Sequence, residues 1–225
     1  MMSDRMRVLI ITLLCLGLSL VMPALHPNRS YGSVMQDAEK HLPTLKRILH
    51  EQWRSAPMPY IICGQVEQES RWKEKAQLKT SRELGRGLAQ MTITERFNVY
   101  EEVAHQAAYR GWRWRDDPFN ATYQLTYLVL TDRANYTSMC RLLNEGEDAW
   151  AGALVAYNAG PGTVLQRHAL AKLNGVDHDH WFGGLDSVAL KGEERLLYGR
   201  KLVDMRNDYP RFIIRGKAGK YRQLL

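Results

Sequence analysis

Helical spacing of apolar residues runs through most of this 225-residue chain and restricts the folds that it can adopt. No stretch alternates apolar and polar residues for long enough to require a sheet. Helical patterns cover residues 36–52, 60–71, 97–109, 118–143, 148–157, 164–173 and 193–208. Thr92 and Glu95 form a capping-box pattern before the third of these, and Pro43 offers an alternative start for the first. We predict an all-α or predominantly α globule, with loop and at most a turn of strand between Gln77 and Glu83.

The N-terminal segment differs from the rest of the chain. Arg5 and Arg7 precede Val8–Met22, an apolar run without charge, which is the order of segments in a secretory leader. As a helix this run would be about 22 Å long, shorter than the stretch of roughly 20 residues that spans a bilayer. Cleavage and retention as a membrane anchor both remain open. We expect an exported chain with a signal peptide or anchor over residues 1–32 and one domain over residues 33–225.

Composition and charge limit the class of protein. With 45% hydrophobic and 24% charged residues, the chain is close to the average folded domain, and three cysteines are too few for a disulfide-built scaffold. The net charge of +7 stays positive when the leader is removed. A basic exported domain favours cell-wall polymers or anionic lipids as partners. No basic block has the spacing of a nucleic-acid motif, so we expect no nucleic-acid partner.

Two glutamates lie near the end of the second predicted helix. At about 100° per residue, Ile62, Val66 and Glu69 fall on one side, which places Glu69 on the apolar stripe. Glu67 points almost the opposite way and has Arg71 four residues later, as in a surface ion pair. A carboxyl on a buried face has a raised pKa and can act as a general acid. The alternative is that Glu69 is a structural partner for a buried donor.

Two later segments have residues suited to binding a ligand. Gly85–Met91 is a glycine-rich loop that lets the backbone approach a ligand and carries the amide of Gln90, although a plain turn would have the same composition. Ala156–Gly160 places Tyr157 and Asn158 at the end of a helix, where a ring can stack on sugar and an amide can bind an N-acetyl or hydroxyl group. A helix C-cap made by Asn158 is the alternative.

Together these motifs resemble the soluble lytic transglycosylase domain, a family that cleaves peptidoglycan. The matching elements, in the order of the family, are Glu69–Trp72, Gly87–Gln90, Ala156–Gly160 and the pair Glu194 and Tyr198. The resemblance spans about residues 45–209, and its specificity comes from the order of several motifs. Ala89 stands where the family usually has methionine, a departure that removes no titratable group.

This resemblance implies a lysozyme-like fold of the goose type and an enzyme that cleaves between N-acetylmuramic acid and N-acetylglucosamine, forming 1,6-anhydromuramic acid. Glu69 would be the catalytic acid and then the base. The residues expected to line the cleft are Ser70, Gln90, Tyr157, Asn158 and Tyr198. The partner would be the peptidoglycan glycan strand, with no cofactor and no metal. The enzyme would be periplasmic, or attached to the inner membrane through residues 8–22 and facing the periplasm.

The number of carboxylates bears on the mechanism. Glycosidases that use water or a covalent intermediate normally need a second carboxylate about 5–9.5 Å from the first. Glu67 faces away, and spacing does not fix the distances of the other candidates, which are Glu83, Asp148 and Asp177. A single carboxyl at Glu69 could protonate the glycosidic oxygen and then deprotonate the sugar's own 6-hydroxyl. The alternatives are a lysozyme-type hydrolase, including a phage endolysin, and a non-catalytic wall-binding module.

Three further groups of residues are less informative. His178 and His180 alternate with acidic residues in a polar loop, which we interpret as solvated because no third metal ligand has recognisable spacing. In Trp112–Arg115, core packing by one tryptophan with the other at the surface is favoured over a glycan or membrane contact. Cys63 and Cys140 could pair in an oxidising compartment, and the sequence leaves that open.

Overall fold

A computed structural model describes residues 31–190 and 209–225. These residues are mostly helical, which confirms the predominantly α prediction. The predicted leader, the helix predicted over residues 193–208 and Tyr198 lie outside the described residues. Within the described ranges, the helices are too short or too polar to cross a membrane.

Six helices and three short strands form the regular structure of the described residues. The helices are α1 Tyr31–Gln52, α2 Tyr60–Ser70, α3 Val99–Ala104, α4 Ala121–Met139, α5 Glu147–Ala159 and α6 Pro161–Leu173. The strands are β1 Gln77–Lys79, β2 Glu83–Arg86 and β3 Met91–Thr94. Short 3₁₀ turns cover Ala107–Tyr109, Leu185–Ser187 and Ala218–Tyr221, and a π-helical turn covers Phe212–Lys217.

The described residues form two compact units. The first unit comprises residues 31–131 and 217–225, and the second comprises residues 132–190 and 209–216. Helix α4 contributes its first half to one unit and its second half to the other. The sequence predicted one domain over residues 33–225. The described part of that range divides into these two compact units.

Helix α1 buries one face in the first unit, as its apolar spacing predicted. The buried residues are Val34, Ala38, Leu42, Leu45, Ile48 and Leu49. Pro43 lies inside the helix and does not start it, so that alternative was wrong. Proline inside a helix costs about 3 kcal/mol, whereas each large apolar side chain that is buried contributes about 1.5–3 kcal/mol. Burial on both sides of Pro43 therefore outweighs the lost hydrogen bond.

An antiparallel three-stranded sheet of order β1-β2-β3 runs from Gln77 to Thr94, well beyond the 77–83 segment that the sequence predicted as loop with at most a turn of strand. Leu78 pairs with Gly85, and Gly85 pairs with Thr92. At the β1–β2 turn, the Thr80 hydroxyl accepts hydrogen bonds from the backbone of Arg82 and Glu83. Strands of three or four residues are too short to show an alternating pattern, which explains why the sheet was missed.

The capping box predicted from Thr92 and Glu95 was also wrong. Thr92 belongs to β3 and donates its hydroxyl to the carbonyl of Gln90. Asn98 caps α3 instead, because its side chain accepts a hydrogen bond from the backbone of Tyr100. Sheet pairing of Thr92 thus overrides its local capping preference.

The core of the second unit forms around α5, whose residues from Ala149 to Ala156 are all buried. Trp150 and Trp181 are fully buried there, and Asp148 fixes Trp181 by accepting a hydrogen bond from its backbone.

Cys63 and Cys140 are both free thiols. This answers the question of their pairing, which the sequence left open.

Candidate functional site

Glu69 and Ser70 form the last turn of α2. Glu69 is half-buried, and Ser70 is buried with its hydroxyl donating to the Val66 carbonyl at 3.0 Å. The chain leaves the helix through Arg71 and Trp72, two consecutive non-glycine residues with φ of 54° and 61°. Residues held in this left-handed region each cost on the order of 1–3 kcal/mol and persist only where the surroundings fix them. The surrounding structure therefore fixes the backbone conformation where the chain leaves α2 beside Glu69.

Trp72 is the residue that fixes this exit. Its side chain is 1% exposed, and its indole Nε1 donates to the hydroxyl of Tyr221 at 2.9 Å. The two rings also pack at 5.9 Å between centroids. Burial of so large a side chain with its polar atom bonded offsets the backbone strain at Arg71 and Trp72.

Glu67 occupies a different environment from the one that the sequence predicted. It is 8% exposed, it accepts a hydrogen bond from Tyr221 at 2.6 Å, and Lys220 donates to its Oε1 at 2.8 Å. The surface interpretation was wrong because α2 is buried around its whole circumference from Ile61 to Glu67. The C-terminal residues cover the face that the apolar stripe alone assigned to solvent, and Ala218 packs against Gly64 there.

The two carboxyls of α2 thus differ in exposure to solvent. Both oxygens of Glu67 are engaged by Lys220 and Tyr221, so this group has a structural role. Glu69 is half-buried, so it keeps more contact with water than the buried position that the apolar stripe predicted. Lys217 interacts electrostatically with both carboxyls. Its pKa is lowered, chiefly by burial, and the charges of Glu67 and Glu69 oppose that shift.

Gln90 lies in the tight turn between β2 and β3. It is 8% exposed, has a φ of 48°, and donates its side-chain amide to the carbonyl of Gly87 at 2.9 Å. A Cβ on Gly85 would stand 2.8 Å from Oε1 of Gln90, so only glycine fits at position 85 unless Gln90 moves. The amide predicted as a ligand contact therefore also closes its own turn.

Gln124 of α4 holds the same turn from outside, and sequence reasoning missed it. Its Oε1 accepts from the backbone of Ala89 at 3.1 Å, and its Nε2 donates to the Pro118 carbonyl at 2.8 Å and to the Tyr100 hydroxyl at 3.1 Å. Gly87, with a φ of 77°, leaves no room for a side chain beside it. The sequence offered one sign of this role. Gln124 lies four residues before the buried Leu128, which places its amide on the apolar side of α4.

Tyr157 and Asn158 lie in the last turn of α5 and are each half-buried. The carbonyls of this turn are satisfied by other groups: Gly160 N–H donates to Ala156, and the Thr163 hydroxyl donates to Ala159. Gly160 has a φ of 82°, and α6 starts at Pro161 directly after it. Capping at this point is thus supplied by the backbone and by Thr163.

The predicted site residues divide between the units. Glu69, Ser70 and Gln90 belong to the first unit, Tyr157 and Asn158 belong to the second, and Tyr198 lies outside the described residues. Within the first unit, Ser70 bonds to Val66 and Gln90 bonds to Gly87.

The candidate second carboxylates have structural partners in most cases. Glu67 is paired with Lys220, Asp148 accepts from Trp181, and Asp177 closes an exposed turn by accepting from the backbone of Asp179. Asp148 and Asp177 both belong to the second unit, and Glu83 belongs to β2 of the first.

The tryptophans at positions 112 and 114 match their prediction. Trp112 is buried and stacks on Tyr123 at 4.9 Å between centroids, with its Nε1 donating to the Asp117 carbonyl. Trp114 is half-buried, and the guanidinium of Arg115 lies 4.5 Å from its ring centroid. One ring therefore belongs to the core and the other lies at the surface.

Comparison with known proteins adds no further assignment. No family model matches the sequence, and no curated protein matches it. The case for a function therefore depends on the motifs and on the geometry of the residues that carry them.

Proposed function

We propose that this chain is a peptidoglycan lytic transglycosylase in which Glu69 is the catalytic acid and then the base. The observation that carries the proposal is the contrast in solvent exposure between the two carboxyls of α2. Glu67 has both oxygens bonded to the C-terminal residues Lys220 and Tyr221, whereas Glu69 is partly exposed at the end of the helix. Of the two, Glu69 is the carboxyl that a glycan can reach.

The reaction needs one carboxyl and no water. Protonated Glu69 gives its proton to the glycosidic oxygen as the bond from that oxygen to C1 of the muramic acid breaks. The resulting carboxylate then takes the proton of the sugar's own 6-hydroxyl, and the oxygen of that hydroxyl bonds to the same C1. This step closes the 1,6-anhydro ring and returns Glu69 to its protonated form. The N-acetyl group of the substrate can assist at C1, as in other glycosidases with a single acid.

Among the described residues, most candidate second carboxylates have structural partners, which supports this reaction over hydrolysis. Of the four candidates, Glu67, Asp148 and Asp177 are engaged in holding the fold, and Glu83 belongs to β2. Hydrolases of the retaining or inverting type need a second carboxylate at about 5–9.5 Å.

The other residues of the proposed site have separate tasks. Ser70 and Gln90 are proposed as cleft residues on the resemblance, and each is buried with its side chain bonded to backbone, Ser70 to Val66 and Gln90 to Gly87. Tyr157 offers a ring for sugar stacking and Asn158 an amide for the N-acetyl group. Tyr198 is proposed as a cleft residue on the resemblance alone.

The setting of this activity is part of the same proposal. The partner is the glycan strand of peptidoglycan, and no cofactor or metal takes part in the reaction. The enzyme is exported to the periplasm or tethered to the inner membrane by residues 8–22. Its net charge, +7 for the full sequence and still positive without residues 1–32, favours association with an anionic wall polymer.

Digestion of purified sacculi in water enriched with heavy oxygen tests the proposal. A transglycosylase releases anhydromuropeptides that carry no label, because water does not enter the product. Labelled reducing ends would show a lysozyme-type hydrolase instead, and sacculus binding without release would show a wall-binding module. Either of these outcomes overturns the proposal.

A further inference from the structure

Three side chains with metal-binding groups converge in the second unit. His168 comes from α6, and His178 and Asp179 come from the loop that follows it. One ligand atom of each lies within 4.8 Å of the others. The two imidazole rings stand 5.1 Å apart between centroids at 78°, and His178 Nε2 is 3.8 Å from Asp179 Oδ1.

We propose that His168, His178 and Asp179 bind a divalent transition-metal ion of the zinc type. Two imidazoles and one carboxylate suit zinc, nickel or copper, whereas calcium and magnesium prefer ligand sets made of oxygen. Ligand atoms around one zinc ion lie about 3.3 Å apart, given bond lengths of about 2.0–2.1 Å. Rotations about the side-chain bonds close the remaining distance, and water completes the coordination.

The interpretation of this loop as merely solvated depended on the lack of a third ligand. His168 supplies it from ten residues upstream of His178, a spacing that matches no local metal motif. Only the reversal of the chain after α6 brings the two histidines together.

The loop that carries His178 and Asp179 is already ordered by hydrogen bonds. Asp177 accepts from the backbone of Asp179 and from that of His180, and its second oxygen bonds to the His180 ring at 2.8 Å. Asn144 N–H donates to the Asp179 carbonyl at 2.9 Å. These bonds fix the backbone of the loop that carries the two ligands without using their metal-binding atoms, so side-chain rotations alone would complete the site.

His168 is oriented in the same manner. It is half-buried; burial lowers the pKa of its imidazole, and interaction with the backbone of Leu142 opposes that shift, which places a backbone acceptor beside the ring. A metal-bound histidine usually has its other nitrogen bonded in this way, because the bond fixes the tautomer and the ring orientation. With such an acceptor at one ring nitrogen, the other nitrogen would be the ligand.

One nearby charge works against the ion. Lys172 lies four residues after His168 and acts electrostatically on it, while Asp179 supplies the opposing negative charge. Since Lys172 is exposed, solvent screens its repulsion, and the ligand set outweighs it. A variant that lacks this charge should bind the ion more tightly, which offers a test in the opposite direction from ligand removal.

The proposed ion is structural, and the site is independent of the glycan reaction. It would join the C-terminal half of α6 to the loop at residues 177–181, within the same unit. Binding to the folded form alone raises stability in proportion to the logarithm of ion concentration above the dissociation constant.

Titration of the full chain, prepared without a polyhistidine tag, tests the site with zinc chloride as the probe. Calorimetry should show one ion per chain, and the melting temperature should rise with zinc concentration and stay unchanged with magnesium. His168→Ala and Asp179→Asn should each weaken zinc binding by roughly 10-fold or more, the scale on which zinc sites respond to lost interactions. Lys172→Gln should strengthen it.

Matched controls separate this site from adventitious binding. His105→Gln changes an exposed histidine of the first unit and should leave zinc affinity unchanged. Asp179 is exposed, so Asp179→Asn keeps the test valid if His168→Ala fails to fold. Absence of saturable zinc binding, or equal affinity in the parent chain and Asp179→Asn, overturns the proposal.

Discussion

The hydroxyl of Tyr221 donates a hydrogen bond to Glu67 Oε2 at 2.6 Å and accepts one from Trp72 Nε1 at 2.9 Å. A residue near the C-terminus thereby joins the two side chains that flank Glu69 along the chain. Lys220 adds an ion pair to the same carboxyl. The last turn of α2 is thus held by residues 217–225, and changes there should affect both stability and the proposed site.

Tyr221→Phe should lower the free energy of unfolding by about 1–3 kcal/mol. The variant keeps the buried ring and removes the hydroxyl, so Trp72 Nε1 and Glu67 Oε2 each lose a partner in a buried environment. Urea unfolding measures the change. Tyr60→Phe is the matched control, because this ring is half-buried and contacts the Arg222 guanidinium through its face. Equal losses in both variants would contradict the role given to Tyr221.

Lys220→Met should destabilise the protein by up to about 3 kcal/mol, because it leaves the buried Glu67 carboxylate without its counter-charge. The double variant Glu67→Gln with Lys220→Met should recover part of this loss, since the unpaired charge is then gone. A double-mutant cycle of urea unfolding gives the coupling energy. A coupling near zero would show that the pair is not a unit.

Gly87→Ala should destabilise the first unit by at least about 2 kcal/mol. The residue has a φ of 77°, and a Cβ there would stand 2.5 Å from the Gln124 side chain. The cost combines about 1 kcal/mol for the left-handed backbone with about 1–3 kcal/mol for overpacking. Gly111→Ala separates the two contributions, since its φ is 87° and nothing lies within 4 Å of its Cβ position. Equal costs by urea unfolding would exclude the contact with Gln124.

Lys217→Met should move the alkaline limb of the pH–activity profile to higher pH. Attraction between this ammonium and Glu69 is mutual: the carboxylate raises the pKa of Lys217, and the ammonium favours the ionised carboxyl. A general acid works while protonated, so activity falls as the pH rises through its pKa. Removing the cation therefore extends activity upward in pH. Release of anhydromuropeptides is measured across pH, with Lys79→Met on the exposed edge of β1 as the charge control. A limb that stays in place or moves to lower pH would contradict the electrostatic link.

The helices could be predicted from the sequence because their signal is local. The apolar spacing of α1 and the Gly160–Pro161 boundary between α5 and α6 are both visible within a few turns. The sheet could not be predicted, since β1 has only three residues and β2 and β3 have four each.

The environment of the candidate site depends on residues far apart in the chain. Glu67 was interpreted as a surface residue because its partner Lys220 lies 153 positions away. Gln124 holds the backbone of Ala89 across 35 positions, and no local pattern indicates that bond. Sequence motifs thus nominated Glu69 and Gln90 as candidate site residues, whereas the groups that fix their surroundings required the fold.

The most direct test of the account compares Glu69→Gln with Glu51→Gln in the release of anhydromuropeptides from sacculi. Glu51 is a surface carboxyl paired with Arg47, so its variant controls for the loss of charge and should retain activity. Glu69→Gln should lose activity by about 100-fold or more, as expected for a general acid, while sacculus binding and the melting temperature stay close to those of the parent chain. Release by Glu69→Gln at the rate of the parent chain would contradict the central claim.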